Sequence, residues 1–203
     1  MDMNLHSSNE KADFQYIVVK NEISDTVADM AIIEGYIGLD EEITIPNEIE
    51  GYPVIGIAKE AFNGDHIIKK IQADFSSVQI SIEDAFNNMS ALTDISITGV
   101  KKIISCFNGC ACLNSVSIGE GTELISDSFT NLENLERVFF PKTLKRISGV
   151  SFSYCDKLKN TIVPDNVEYV SGGHLETRLL KRKIFTSLVI INNKYTIGVH
   201  AIV

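Results

Sequence analysis

Three cysteines fall within seven residues, Cys106, Cys110 and Cys112, and a fourth stands at Cys155. Thiolates at close spacing are the raw material of a zinc site, which closes a tetrahedron of four Cys or His ligands. The C-x3-C-x-C run supplies three, and the histidines at 6, 66, 174 and 200 are all remote in sequence, so no ligand set is complete. Other chemistry-bearing patterns fail in the same way. Gly119-Glu120-Gly121 lacks the lysine of a phosphate loop, and no G-x-S-x-G, H-E-x-x-H or paired His/Cys arrangement is present. Asp40, Glu41 and Glu42 form an acidic run too short for the oxygen shell of a calcium loop and read as a solvated face. Asn88-Met89-Ser90 is a formal glycosylation sequon whose meaning depends on export. The chain therefore reads as non-enzymatic, with no catalytic residue, no cofactor and no metal.

What the cysteines do becomes clear from the elements that must hold them. Phe62, Phe86, Phe107, Phe129 and Phe152 follow one another at intervals of 24, 21, 22 and 23 residues. Six residues after each stands Ile68, Leu92, Leu113, Leu135 or Leu158, and three residues later a short alternating run begins. These runs start at Ile71, Ile95, Val116, Val138 and Thr161, with an earlier copy at Ile43-Thr44-Ile45. A small residue precedes each Phe: Ala61, Ala85, Cys106, Ser128 and Ser151. Cys106 thus fills the small slot, and Cys110 and Cys155 both stand three residues after a repeat Phe. In such slots Cys acts as a small buried hydrophobe. Cys110 and Cys155 lie two repeats apart, on the order of 10 Å, beyond disulfide reach. Cys112 is outside the slots and is expected to be exposed.

A period of 21–24 residues with an L-x-x-L-x-L phrase is the mark of a solenoid, in which one repeat cannot bury its apolar face and stacked repeats share a continuous core. The first and third residues of each run point inward and the middle one outward. A sandwich would instead show hairpin turns every 8–12 residues and no fixed Phe-to-Leu offset.

The segments 57–62 (IAKEAF), 124–129 (LISDSF), 152–158 (FSYCDKL), 43–46 (ITIP) and 50–54 (EGYPV) resemble the BspA-like leucine-rich repeats. The resemblance covers about residues 14–173. It implies a β-rich α/β solenoid, a leucine-rich-repeat right-handed superhelix with a parallel sheet and an irregular or short helical return. It also implies adhesion or host-protein binding at a cell surface. Repeat two carries Ile80 and Ile82 around the slot of Ile57 and Leu124, and repeat three is shortened near 101–104. The sixth copy lacks the Ala-Phe step. The expected organisation is a flexible N-terminus at 1–13, an N-terminal β cap at 14–42, repeats at 43–173 and a C-terminal cap or hairpin at 174–203. The strands of the two caps are read at 14–20 and 30–37, and at 184–191 and 195–203. Residues 175–203 are either a cap or a pairing arm for oligomerisation.

Composition sets the class of partner. The 203 residues are 44% apolar and 22% charged, with net charge −9, which excludes a disordered chain and argues against a general nucleic-acid binder. The charge is polarised: residues 1–136 hold 23 acids and 7 bases, residues 137–203 hold 4 acids and 11 bases. No run is long enough to span a membrane, so no membrane insertion is expected. The N-terminus carries no basic and apolar leader, which places the protein in the cytoplasm if Met1 is the native start, and at the surface or secreted otherwise.

The outward strand positions read Thr44, Gln72, Ser96, Ser117, Phe139 and Ile162. Polar and small gives way to apolar where acidic gives way to basic, beside Arg137. Gln72, Ser96, Ser117, Arg137, Phe139 and Ile162 are therefore the expected contact residues for a protein partner. The alternative is that residues 175–203 fold back over Phe139 and Ile162. The chain is expected to be a monomer or to self-associate weakly, its opposed charges favouring head-to-tail contact.

Overall fold

The computed structural model describes residues 13–20, 29–158 and 162–170. Its elements are strands and turns, with no helix among the described residues. In chain order the strands are β1 (Phe14–Val19), β2 (Met30–Tyr36), β3 (Glu42–Ile45), β4 (Glu48–Ile49) and β5 (Tyr52–Ile57). There follow β6 (Lys70–Asp74), β7 (Ile80–Glu83), β8 (Asp94–Thr98), β9 (Val100–Ile104) and β10 (Ser115–Ile118). The last are β11 (Leu124–Ser126), β12 (Arg137–Phe139), β13 (Arg146–Ser148) and β14 (Tyr169–Val170).

Four successive turns, β6/β7, β8/β9, β10/β11 and β12/β13, each give one strand to each of two parallel sheets. The first sheet runs β3-β6-β8-β10-β12 and the second β7-β9-β11-β13-β14. Alternation makes the first: Ile71 and Ala73, Ile95 and Ile97, and Val116 and Ile118 are buried, while Gln72 and Ser96 between them are exposed. The second sheet occupies the expected return leg, so that leg is a strand and turns. Its three- to five-residue stretches carry β-branched Ile and Val, and left-handed residues follow at once, which leaves no room for a helical turn. Its buried column is Ile82, Ile103, Ile125 and Ile147, in register. Ile125 takes the slot that the repeat phrase assigns to Leu124, and Leu124 stands half-exposed beside it. Between β8 and β9 the chain turns at Gly99, φ +72°, where a Cβ would run into the Phe75–Ser76 backbone.

At the N-terminal end β1 pairs antiparallel with β2, β2 parallel with β5, and β5 antiparallel with β4. At the other end the expected strand over 161–163 is not seen: the described Ile162 and Val163 are in no strand, and the first sheet ends at β12. The expected flexible stretch and hairpin, 1–12 and 184–203, lie outside the described residues.

The repeat phenylalanines form one column between the sheets. Successive ring centroids are 4.7, 5.0, 5.0 and 5.1 Å apart from Phe62 to Phe152, with planes within 12° of parallel. That spacing matches the roughly 4.8 Å between strands, so the sheets set the stack. Phe86, Phe107, Phe129 and Phe152 all hold φ between 60° and 63°. A bulky residue there costs on the order of 1–3 kcal/mol. Burying the ring returns about 1.5–3 kcal/mol, and each stacked pair adds about 0.5–1.5. The strain is thus offset only while the column is intact.

Next to it runs a hydrogen-bonded ladder. Asn63 Oδ1 accepts from the Asn87 N–H at 2.7 Å, Asn87 Oδ1 from the Asn108 N–H at 2.8 Å, and Asn108 Oδ1 from the Thr130 N–H at 2.9 Å. The amide nitrogens of Asn87 and Asn108 donate to the carbonyls of Ser105 and Asp127. Buried turns have no water to satisfy them, and these side chains take its place.

Candidate partner-binding face

The strand registers place Thr44, Gln72, Ser96, Ser117 and Phe139 opposite one another across the first sheet. Of the expected contact residues, Gln72, Ser96, Ser117 and Phe139 are therefore brought into one column. Ser117 is half-buried and the others exposed, Phe139 at 59%. Two residues earlier on each strand a second row reads Glu42, Lys70, Asp94, Ser115 and Arg137. Arg137 and Phe139 therefore share one face of β12.

The row changes character along the stack. Lys70 Nζ is 2.6 Å from Glu42 Oε1, and Lys69 Nζ is 2.7 Å from Glu41 Oε2. The hydrogen bond to Glu42, helped by its charge and that of Asp94, holds the Lys70 ammonium above its usual range. Arg137 instead donates to Asn114 Oδ1 at 3.4 Å and, among the described residues, forms no ion pair. One end of the face is neutralised within itself; the other presents a guanidinium with no acidic partner among the described residues beside an exposed ring.

Ile162 is 83% exposed and Val163 only 8%, so the in–out alternation persists there without strand pairing to β12. Five of the seven large exposed apolar residues among those described fall at this end: Phe139, Val150, Tyr154, Ile162 and Tyr169.

The exposed row of the second sheet was not anticipated from the sequence. It reads Ser81, Lys102, Leu124, Arg146 and Tyr169, with the Arg146 guanidinium 5.6 Å from the centre of the Tyr169 ring. The signal was there: Ile82, Ile103, Ile125 and Ile147 recur at 21 or 22 residues.

The cysteines are packing residues. Cys106, Cys110 and Cys155 are buried free thiols and Cys112 is exposed. The thiols of Cys110 and Cys155 point at the carbonyls of Phe86 and Phe129, at 3.1 and 3.2 Å. Burial pushes Cys106 and Cys155 up to about 12 and Cys110 to about 11. A thiol so hard to ionise is a poor nucleophile and a poor metal ligand. Among the described residues no three His, Cys, Asp or Glu side chains cluster in a way that could hold a metal ion. Among them, too, no helix is long and apolar enough to cross a membrane.

Two stacked parallel sheets, a repeat of about 22 residues and a leucine-lined core define a leucine-rich-repeat solenoid. The sequence matches the BspA type leucine rich repeat region over residues 40–127 and 83–199, as six copies. The chain belongs to that family. No curated protein matches it. Among solved structures it is similar to a leucine rich cell surface protein from Faecalibacterium prausnitzii A2-165, at 19% identity and a TM-score of 0.50, covering 85% of this chain and 52% of that one. It also matches a leucine-rich repeat protein from Bacteroides ovatus ATCC 8483, at 23% identity and a TM-score of 0.47, covering 81% of this chain and 49% of that one. A leucine rich repeat protein of T. pallidum matches at 20% identity and a TM-score of 0.46, over 83% of this chain and 66% of that one. The chain thus spans about half the length of the F. prausnitzii and B. ovatus proteins.

Proposed function

We propose that the protein is a non-enzymatic binding module that recognises a protein partner through the exposed face of its first sheet. The observation that carries this reading is Phe139, a ring 59% exposed at the end of an in-register column, with Arg137, which forms no ion pair among the described residues, on the same strand face. An exposed aromatic beside an Arg is the composition of an interface hot spot. The sheet fixes these side chains in advance, which lowers the ordering cost of binding. The chemistry fits an extended segment with apolar and acidic side chains.

The test uses a random peptide library displayed on phage and selected on the intact protein. Selected peptides should bind Phe139→Ser at least about tenfold more weakly, the loss expected of a hot spot. Peptides that bind Phe139→Ser normally and are lost on Tyr169→Ser would move the site to the second sheet.

The polarity of charge supports a second reading, head-to-tail self-association. Sedimentation at low and high salt tests it, since exposed charge contacts strengthen as screening falls. A monomer at both, at high protein concentration, rejects it. The F. prausnitzii protein is described as a cell surface protein, which makes the surface the first location to test by fractionation of the source cells.

A further inference from the structure

The tripeptide Phe-Asn-Gly occurs twice, at residues 62–64 and 107–109, at the same place in turns two repeats apart. Asn is a thermolabile residue, and an Asn followed by Gly is a point of chemical weakness. The glycine nitrogen, with no Cβ beside it, can add to the side-chain Cγ of the preceding Asn. Its proton passes to a solvent base, the Cγ–Nδ2 bond breaks, and Nδ2 leaves as ammonia. Water then opens the five-membered imide. Opening at Cγ gives Asp; opening at the backbone carbonyl gives isoaspartate, whose main chain runs through Cβ and Cγ. Water is the only co-reactant, and nothing is oxidised or reduced. Since the two tripeptides are identical, any difference between them comes from the fold.

The attacking nitrogens are held alike. Gly64 donates to the Asn87 carbonyl at 2.8 Å and Gly109 to the Thr130 carbonyl at 2.9 Å. The side chains are held differently. Asn108 Oδ1 accepts from the Thr130 N–H at 2.9 Å and from the Thr130 hydroxyl at 3.0 Å, and its Nδ2 donates to the Asp127 carbonyl at 3.0 Å. Asn63 Oδ1 accepts from the Asn87 N–H at 2.7 Å, and its Nδ2 lies 3.5 Å from the Asp84 carbonyl, beyond the usual range for N–H···O. Asn63 is the first rung of the ladder: its own N–H goes to the Glu60 carbonyl, while that of Asn108 goes to Asn87 Oδ1. Shelter differs as well. Gly109 is half-buried, and a Cβ placed on it would strike the Asn88 side chain; Gly64 is exposed, with nothing within 4 Å of such a Cβ.

We propose that Asn63 is a modification site, converting to Asp and isoaspartate in the folded protein, and that the ladder shields Asn108 from the same reaction. Reaction requires the glycine nitrogen to leave its carbonyl and the Asn side chain to turn toward it. At Asn63 that motion opens an exposed turn. At Asn108 it breaks the bonds to both Thr130 donors and to the Asp127 carbonyl inside the stack. The Asp product keeps an oxygen for the Asn87 N–H and loses the donor toward Asp84. The isoaspartyl product lengthens the main chain by one carbon between Phe62 and Gly64 and so disturbs the rung. The site lies on a turn, outside both sheets, and does not depend on the proposed binding face.

Intact protein is held in mildly alkaline buffer, in parallel with protein in guanidinium chloride. Both sites are followed by peptide mass spectrometry, with enzymatic carboxyl methylation marking isoaspartate. The rate at each site is divided by its own rate in denaturant. Asn63 should retain at least about tenfold more of its unfolded rate than Asn108. Equal fractions, a faster Asn108, or no conversion of native Asn63 while the unfolded chain converts fully would each overturn the proposal. Thr130→Val keeps the N–H bond and removes the hydroxyl bond. It should speed conversion of Asn108 by about three- to tenfold and leave Asn63 unchanged. An unchanged Asn108 would overturn shielding by the ladder. Equal acceleration at both sites would overturn it too, by assigning protection to the stability of the whole stack. The comparison within the unaltered protein decides the matter even if the variant fails to fold.

Discussion

Two columns run along this solenoid, and they differ in kind. Inside, the same residue recurs from Phe62 to Phe152 with ring spacing constant to within 0.4 Å. Outside, on the first sheet, Thr44 is followed by Gln72, Ser96, Ser117 and then Phe139. The inner column is held by mutual dependence: each ring is a neighbour's packing surface, and the four from Phe86 onward sit in a left-handed conformation that burial offsets. The outer column faces solvent, so no neighbour dictates its residues. Repetition therefore marks what the fold needs, and drift marks where a function can be written. A partner site is to be sought where the outer column departs from its own trend, at Phe139.

The largest effect should come from breaking the inner column in its middle. Phe107→Ala removes two stacking partners and leaves a cavity, and should destabilise by about 3–5 kcal/mol in urea unfolding. Asn108→Ala comes next: it orphans the Thr130 N–H and the Asp127 carbonyl, at about 1–3 kcal/mol for each.

The buried thiols sharpen the contrast through pH. Their ionisation is raised from 9.0 to about 11 or 12 in the fold, so the unfolded chain loses those protons first. Their contribution to stability is complete below about pH 9 and is lost as pH climbs toward 11–12. Stability should fall from about pH 9 upward toward pH 11–12, and Cys110→Ala should make that fall shallower. Cys112 alone should react with a thiol reagent before denaturant is added.

The outer column should behave in the opposite sense. Phe139→Ser should leave stability within about 0.5 kcal/mol while abolishing binding of selected peptides. Smallest of all, Glu42→Gln removes an exposed ion pair with Lys70 and should give no resolvable shift in the urea midpoint. A large effect there would mean that the outer rows carry structure as the inner ones do.

Much of this was legible along the chain. The Phe-to-Leu offset, the first-sheet strands and the small slot that holds Cys106 all follow from spacing, because stacking forces equal intervals. The second sheet was hidden by its shortness: three residues such as Leu124–Ser126 carry too little alternation to separate a strand from a turn. The same shortness hid the one-residue choice of Ile125 over Leu124, which only the register with Ile103 and Ile147 settles. Val163 turns inward as its position in the repeat requires, yet the described 162–163 forms no strand beside β12, since alternation of burial does not by itself bring backbone groups into a ladder. The Asn ladder escaped notice because Asn63, Asn87 and Asn108 look like ordinary turn residues until the turns are stacked.

By itself the sequence determined the period, the family and the buried residues of the first sheet and the phenylalanine column, since these depend on which side chains avoid water at a fixed interval. Tertiary structure decided which exposed residues share a column, and that among the described residues Lys70 has an acid while Arg137 has none and the Ser153 hydroxyl has no partner. Those outcomes depend on register between strands more than twenty residues apart, and a difference of one residue in register, invisible to periodicity, turns a side chain to the other face.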